Sequence, residues 1–179
     1  MKQLVVVLGL LFGLFGCKKQ ETPTDESLTE IKAKTEFERD ALTQNLFSFD
    51  GNIVSFGSVL DESKGKPILI DVWASWCPDC IEGMPKLRHL QEKFPQLTYI
   101  FLSYDKSEAA WKNGILKHKV TGEHYLIQSD WKTGEFRKAI DLDWIPRYIL
   151  VDKNGKIMHY RAIEADEPEL ISKIKELTK

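Results

Sequence analysis

The stretch Ile68-Leu69-Ile70-Asp71-Val72-Trp73-Ala74-Ser75-Trp76-Cys77-Pro78-Asp79-Cys80 decides how the rest of the chain is read. Its first half, entered from Pro67, is an apolar run of strand length. Its second half holds two cysteines three positions apart, a spacing at which a disulfide can close and reopen. Beyond them Ile81, Met84, Leu87, Leu90 and Phe94 recur on roughly one face of a helix. That periodicity predicts a helix from Pro78 to Phe94, packed on a sheet and kinked at Pro85. A strand that delivers C-x-x-C to the start of a helix points to thiol–disulfide exchange.

The chemistry follows from position. A cysteine just ahead of a helix meets the positive end of the helix dipole and unpaired N–H groups, both of which favour the nucleophilic thiolate. Cys77 is therefore the attacking residue, and Pro78 suits the first helical turn because its missing N–H is not needed there. Cys80, one turn inward, is placed to resolve a mixed disulfide. Asp79 adds a negative charge that opposes the thiolate and leans the couple towards reductant. Asp71 is an ionisable group in an otherwise apolar strand, which is costly to bury without a use or a partner. It is a candidate proton acceptor for the resolving thiol; the plainer alternative is a hydrogen-bonded aspartate at a strand edge.

Working outward, Leu46-Phe47 and Phe49 before Asp50-Gly51-Asn52, with Ile53, Val54 and Phe56 after it, predict a β-hairpin. Leu97 to Ser103 predicts a second buried strand that completes a right-handed βαβ unit. Ser107 to His118 predicts a helix capped by Ser107, and Trp131 to Ile140 another, with an ambiguous stretch around Tyr125-Leu126-Ile127 between them. Tyr148–Val151 and Ile157–Tyr160 flank the turn Asp152-Lys153-Asn154-Gly155, and a last helix starts near Asp166-Glu167-Pro168. The expected fold is α/β, a central mixed sheet flanked by helices with an added N-terminal β-hairpin.

The 179 residues hold 42% apolar and 29% charged side chains, enough for a packed core, and the formal charge of −2 offers no polybasic footprint for nucleic acid. Lys2 followed by the apolar run Leu4–Phe15 has the pattern of a signal segment over residues 1–16, too short to span a membrane. Its end, Leu14-Phe15-Gly16-Cys17, resembles the bacterial lipobox, with Phe15 where a small residue is usual; the resemblance implies that Cys17 is lipidated. Cys77 and Cys80 are then the only free thiols, as suits an oxidising compartment. Residues 17–44, rich in Lys, Glu, Thr, Asp and Ser at their start, are expected to be a flexible tether, with a weak helix possible around Leu28–Phe37, and residues 45–179 the compact domain. The expected location is outside the cytoplasm, lipid-anchored to a bacterial membrane with the domain in the periplasm.

Ile70 to Cys80, together with the distant Ile145-Pro146, resembles thioredoxin-like proteins of the TlpA/ResA type, over about Leu46 to the C-terminus. The resemblance implies a thioredoxin-like fold, a cis-proline at Pro146 facing the cysteines, Ile145 backbone groups that pair with a client strand, and Trp76 bordering the docking groove. It also implies disulfide-containing exported clients, a membrane electron donor of DsbD/CcdA type and a link to cytochrome c maturation. No cofactor and no metal are expected. Asp71 stands where thioredoxin has its buried aspartate. Where relatives often carry glutamate three residues after the second cysteine, this chain has Gly83, and Glu82 points about 100° away.

Other readings of the same residues stay open at this level. A metal site could join the cysteines to His118 and His124, although 37 residues separate Cys80 from His118, far beyond the spacing of a compact zinc site. The disulfide could be structural in a binding module. Within exchange chemistry the direction could be reversed, to oxidase or isomerase. Trp111, Trp131 and Trp144 are expected in the core rather than at a partner surface.

Overall fold

A computed structural model describes residues 34–179. The expected signal segment, Cys17 and most of the expected tether lie outside the described residues. In chain order the elements are α1 (Arg39–Leu42), β1 (Asn45–Ser48), β2 (Ile53–Ser55), α2 (Phe56–Glu62), β3 (Ile68–Trp73), α3 (Pro78–Lys93), β4 (Thr98–Ser103), α4 (Glu108–His118), β5 (Glu123–Ile127), α5 (Glu135–Ala139), β6 (Arg147–Val151), β7 (Ile157–Ala162) and α6 (Pro168–Leu177). The strands form one mixed sheet in the order β2-β1-β5-β4-β3-β6-β7.

All six residues of β3 are buried, because β4 pairs with it in parallel on one side and β6 antiparallel on the other. A strand with two paired edges and helices above it reads as a continuous apolar run rather than an alternating one. The crossover β3–α3–β4 is the expected βαβ unit, and β4–α4–β5 repeats it one strand further out. The two crossover helices lie side by side: Arg88 of α3 donates to the His118 carbonyl at 3.2 Å, and Gln91 to that of Thr121 at 2.5 Å. Helix α3 passes through Pro85 without ending. As expected, Ser107 caps α4, its hydroxyl accepting the Ala110 N–H at 3.2 Å.

Three elements differ from the sequence reading. Phe56 opens α2 instead of closing the hairpin, since the Ser55 hydroxyl accepts the Ser58 N–H at 3.1 Å and starts a helix there. The helix expected over Trp131–Ile140 is only Glu135–Ala139, because the Asp130 carboxylate takes the N–H groups of Lys132 and Thr133 at 2.8 and 2.9 Å and folds that stretch into a turn. The compact fold also reaches back before Asn45. Phe37 and Ala41 are buried, the Phe37 ring packs edge-on against Phe56 at 4.9 Å, and Phe56 against Phe136 at 5.2 Å. Those three rings tie the segment just ahead of α1 to α2 and α5. The described part of the expected tether, from Lys34 on, is therefore part of the fold, since its two buried side chains gain more from the core than from solvent.

The fold bears most closely on the cysteines where α4 meets the loop after β3. A Cβ on Gly114 would stand 2.6 Å from the Ser75 Cβ, so only glycine lets the helix lie this close. Gly114→Ala is expected to destabilise the protein by about 1–3 kcal/mol through overpacking, although alanine is the better helix former. Urea unfolding of the variant beside the parent measures this.

Candidate active site

Strand β3 ends at Trp73, and Ala74 to Trp76 form the short link to α3. The Cys77 N–H donates back to the Ala74 carbonyl at 3.1 Å, which seats Cys77 as the N-cap of α3. Its sulfur does what a serine hydroxyl does at other helix starts: it accepts the Cys80 backbone N–H at 3.2 Å. The two cysteines are joined as a disulfide, Cα atoms 5.3 Å apart, and both are nearly enclosed. When the bond opens, the same N–H and the helix dipole stabilise negative charge on the Cys77 sulfur.

The Ile145–Pro146 peptide is cis, and the Ile145 carbonyl oxygen lies 3.6 Å from the Cys77 sulfur. The structure thus brings Cys77, Cys80, Ile145 and Pro146 together, as the sequence resemblance implied. Trp76 is 46% exposed and its indole N–H donates to the Tyr104 carbonyl at 3.1 Å. Its ring meets Trp131 edge-on at 6.2 Å, beside a groove of about 1220 Å³ that also involves Phe47 and Leu126.

Asp71 is buried in the middle of β3, not at a strand edge, with its Oδ1 oxygen unpaired. Burial pushes its carboxyl up to about 8. Its cross-strand partner on β6 is Tyr148, whose hydroxyl would lie 3.6 Å from a Cβ on Gly83, one turn after Cys80. Asp71 therefore leaves the sheet on the face that α3 covers.

Three side chains escaped the sequence reading. Asp105, buried after β4, accepts the Ser75 hydroxyl at 2.6 Å, the Ser75 N–H at 3.1 Å and the Ser103 hydroxyl at 2.8 Å, and so fixes the link into Cys77. Trp144, expected in the core, is 61% exposed, and its indole N–H points at the Asp79 carboxylate at 3.5 Å. Tyr148 is the third. Trp111 is buried as expected, and Trp131 is partly so. The metal alternative finds no assembly: the buried His124 ring stacks on Phe101 at 4.8 Å and its Nε2 meets the Val120 carbonyl at 3.2 Å. Among the described residues the cluster of metal-ligand type is His159, Glu167 and Glu169, which includes neither cysteine.

A mixed sheet with a disulfide at the start of its crossover helix and a cis-proline against the sulfur defines a thioredoxin-like thiol-disulfide oxidoreductase of the TlpA/ResA type. The chain belongs to the Redoxin family, whose profile matches residues 55–177. It is 27% identical over 121 residues to the thiol-disulfide oxidoreductase ResA of Bacillus thuringiensis, spanning 66% of this chain and 68% of that protein. To the thiol-disulfide oxidoreductase YkuV of Bacillus subtilis it is 28% identical over 100 residues, or 54% of this chain and 67% of that one. The crystal structure of the thioredoxin domain of a thiol-disulfide oxidoreductase from Bacteroides vulgatus matches with a TM-score of 0.63 at 26% identity, over 75% of this chain and 92% of that chain.

The enclosed carboxyl sets a pH dependence. Folded Asp71 keeps its proton up to about pH 8, whereas the unfolded chain loses it near 3.8. Between those values the folded state binds the extra proton, so stability falls as pH rises, with a slope of up to about 1.4 kcal/mol per pH unit. Asp71→Asn should remove this contribution and be more stable than the parent at pH 7–8. Urea midpoints of both proteins from pH 4 to 9 test it; parallel curves would mean that Asp71 is ionised in the folded protein.

Proposed function

We propose that this oxidoreductase is a protein disulfide reductase acting on exported clients through a Cys77/Cys80 dithiol–disulfide cycle. The observation that carries the reading is the Cys77 sulfur at the N-cap of α3, accepting the Cys80 N–H and lying against the Ile145 carbonyl. The Cys77 thiolate attacks a client disulfide, Cys80 then displaces the reduced client from the mixed disulfide, and Asp71, once it has given up its own proton, takes that of Cys80. A client strand would dock on the Ile145 backbone by β-augmentation, ahead of Pro146, with Trp76 at its border.

The reducing direction is supported by Asp79, a carboxylate between the two cysteines that repels a thiolate at Cys77 and so disfavours the reduced form. The lipobox-like end at Cys17 supports a membrane tether, which would hold the domain near a donor of DsbD/CcdA type. Reduction of cytochrome c maturation clients fits the same setting. Opposite direction, oxidase or isomerase, uses the same residues and is separated by potential alone.

The decisive measurement is the reduction potential of the Cys77–Cys80 couple, with insulin disulfide reduction on the same sample. A value near about −270 mV, with turnover abolished by Cys77→Ser, is the expected result. A value near about −120 mV would reverse the direction. Absence of redox cycling would leave a binding module. For the tether, mass spectrometry of the protein expressed in a bacterium should find lipid on Cys17, absent from Cys17→Ser.

A further inference from the structure

An enclosed carboxyl that takes a proton in each cycle must also lose it, and Asp71 is only 2% exposed. Its surroundings supply one candidate outlet. Asp71 and Tyr148 are direct partners across the antiparallel β3–β6 pair. Side chains of such partners leave the sheet on one face, with Cβ atoms about 4.5–5.5 Å apart. The Tyr148 hydroxyl reaches the flank of α3, where a Cβ on Gly83 would stand 3.6 Å from it.

Along α3, Gly83 lies about one turn beyond Cys80, and Lys86 about one turn beyond Gly83. Lys86 Nζ holds the carboxylates of Glu164 at 2.5 Å and Asp166 at 3.1 Å, and both acids are well exposed. Tyr148 feels the charges of Asp71, Asp166 and Glu164 together, and burial with those charges keeps its phenol protonated well above the usual range. A neutral hydroxyl that both donates and accepts therefore lies against α3, with a buried acid as its strand partner and a pair of surface carboxylates held by Lys86 one turn further along the helix.

We propose that Tyr148 relays protons between Asp71 and the Glu164–Lys86–Asp166 cluster at the surface. The inference rests on the reading of Asp71 as acceptor of the Cys80 proton. Before the resolving step Asp71 gives up its own proton, by way of a bridging water, to the Tyr148 oxygen while the Tyr148 hydroxyl releases its proton towards Glu164 or Asp166. The Asp71 carboxylate so formed then takes the Cys80 proton, and the Cys80 thiolate attacks Cys77. The Cys77–Cys80 bond forms as the Cys77–client bond breaks, the client thiolate leaves, and the client is reduced by the two electrons the dithiol loses. Asp71 is left protonated, to be discharged along the same route in the next cycle. Tyr148 is a positioning and relay residue; it touches neither sulfur in this scheme.

The test follows the lifetime of the mixed disulfide formed when the reduced full chain meets oxidised glutathione, read by rapid acid quench and mass spectrometry from pH 6 to 10. Tyr148→Phe keeps the ring and removes the hydroxyl. It should lengthen that lifetime by about tenfold at pH 7. The difference should close at high pH, where a thiol of ordinary pKa near about 8.5 ionises unaided. Adding Tyr148→Phe to Asp71→Asn should bring no further loss, since the two act in one chain. A normal lifetime in Tyr148→Phe beside a long one in Asp71→Asn overturns the relay and keeps Asp71 as acceptor. A normal lifetime in Asp71→Asn removes the Asp71 reading and the relay with it. Equal slowing at every pH would mark a packing effect and overturn the relay. Should Tyr148→Phe fold poorly, 3-fluorotyrosine at position 148 keeps the shape and makes the phenol more acidic. A shifted pH profile then supports the relay, and an unmoved one overturns it.

Discussion

The disulfide stands where it does because β3 has nowhere else to go. Both of its edges are paired and all six of its side chains are enclosed, so the strand is fixed in register by β4 and β6 together. A slip of one residue would turn every side chain to the opposite face. Four residues past the strand end, Cys77 inherits that fixed position through a short link closed by its own N–H on the Ala74 carbonyl. The same enclosure makes Asp71 expensive. A strand that holds the sulfur steady also holds a carboxyl away from water, and the cost of the second is tied to the first.

The link itself is held from outside by Asp105. Its carboxylate gathers the Ser75 N–H and hydroxyl and the Ser103 hydroxyl, while the neighbouring Tyr104 carbonyl takes the Trp76 indole. On the other side α4 presses on Ser75 through Gly114. The residues just before Cys77 are thus confined by a charge-assisted cluster and by close packing at once, and an unpaired Asp105 would be the more damaging loss. On the other rim of the cysteine pair the Trp144 indole meets the Asp79 carboxylate.

Much of this was readable from the chain because the decisive signals are local. The buried run into Cys77, the helical spacing from Ile81 to Leu90, the Asp-Gly turn near Gly51 and the hairpin after Pro146 each lie within one element and its cap. The helix at Phe56 was hidden because its capping serine also fits the end of a strand. The turn at Asp130 was hidden because one carboxylate outweighs a stretch of otherwise helical composition. Asp105, Tyr148 and Trp144 carry no local signal at all. Their roles come from what pairing across the sheet and loop packing place beside them: a serine 30 residues earlier, an aspartate on the adjoining strand, a carboxylate inside the motif. Asp71 was visible as an oddity of composition, but its enclosure required the two flanking strands.

The way the chain joins the sheet has a geometric consequence. The Thr35 carbonyl accepts the Ile157 N–H at 2.8 Å, at the start of β7. Ile157 pairs with Val151, and Val151 with Ile68, so this is the end of the sheet where β3 begins. Cys77 lies beyond the other end, more than the length of a strand away, roughly 17 Å at about 3.3 Å per residue. The polypeptide therefore meets the fold at the pole opposite its sulfur. A pull on Thr35 would hold the domain by its base and leave the Cys77–Cys80 pair at the far end, clear of the point of attachment.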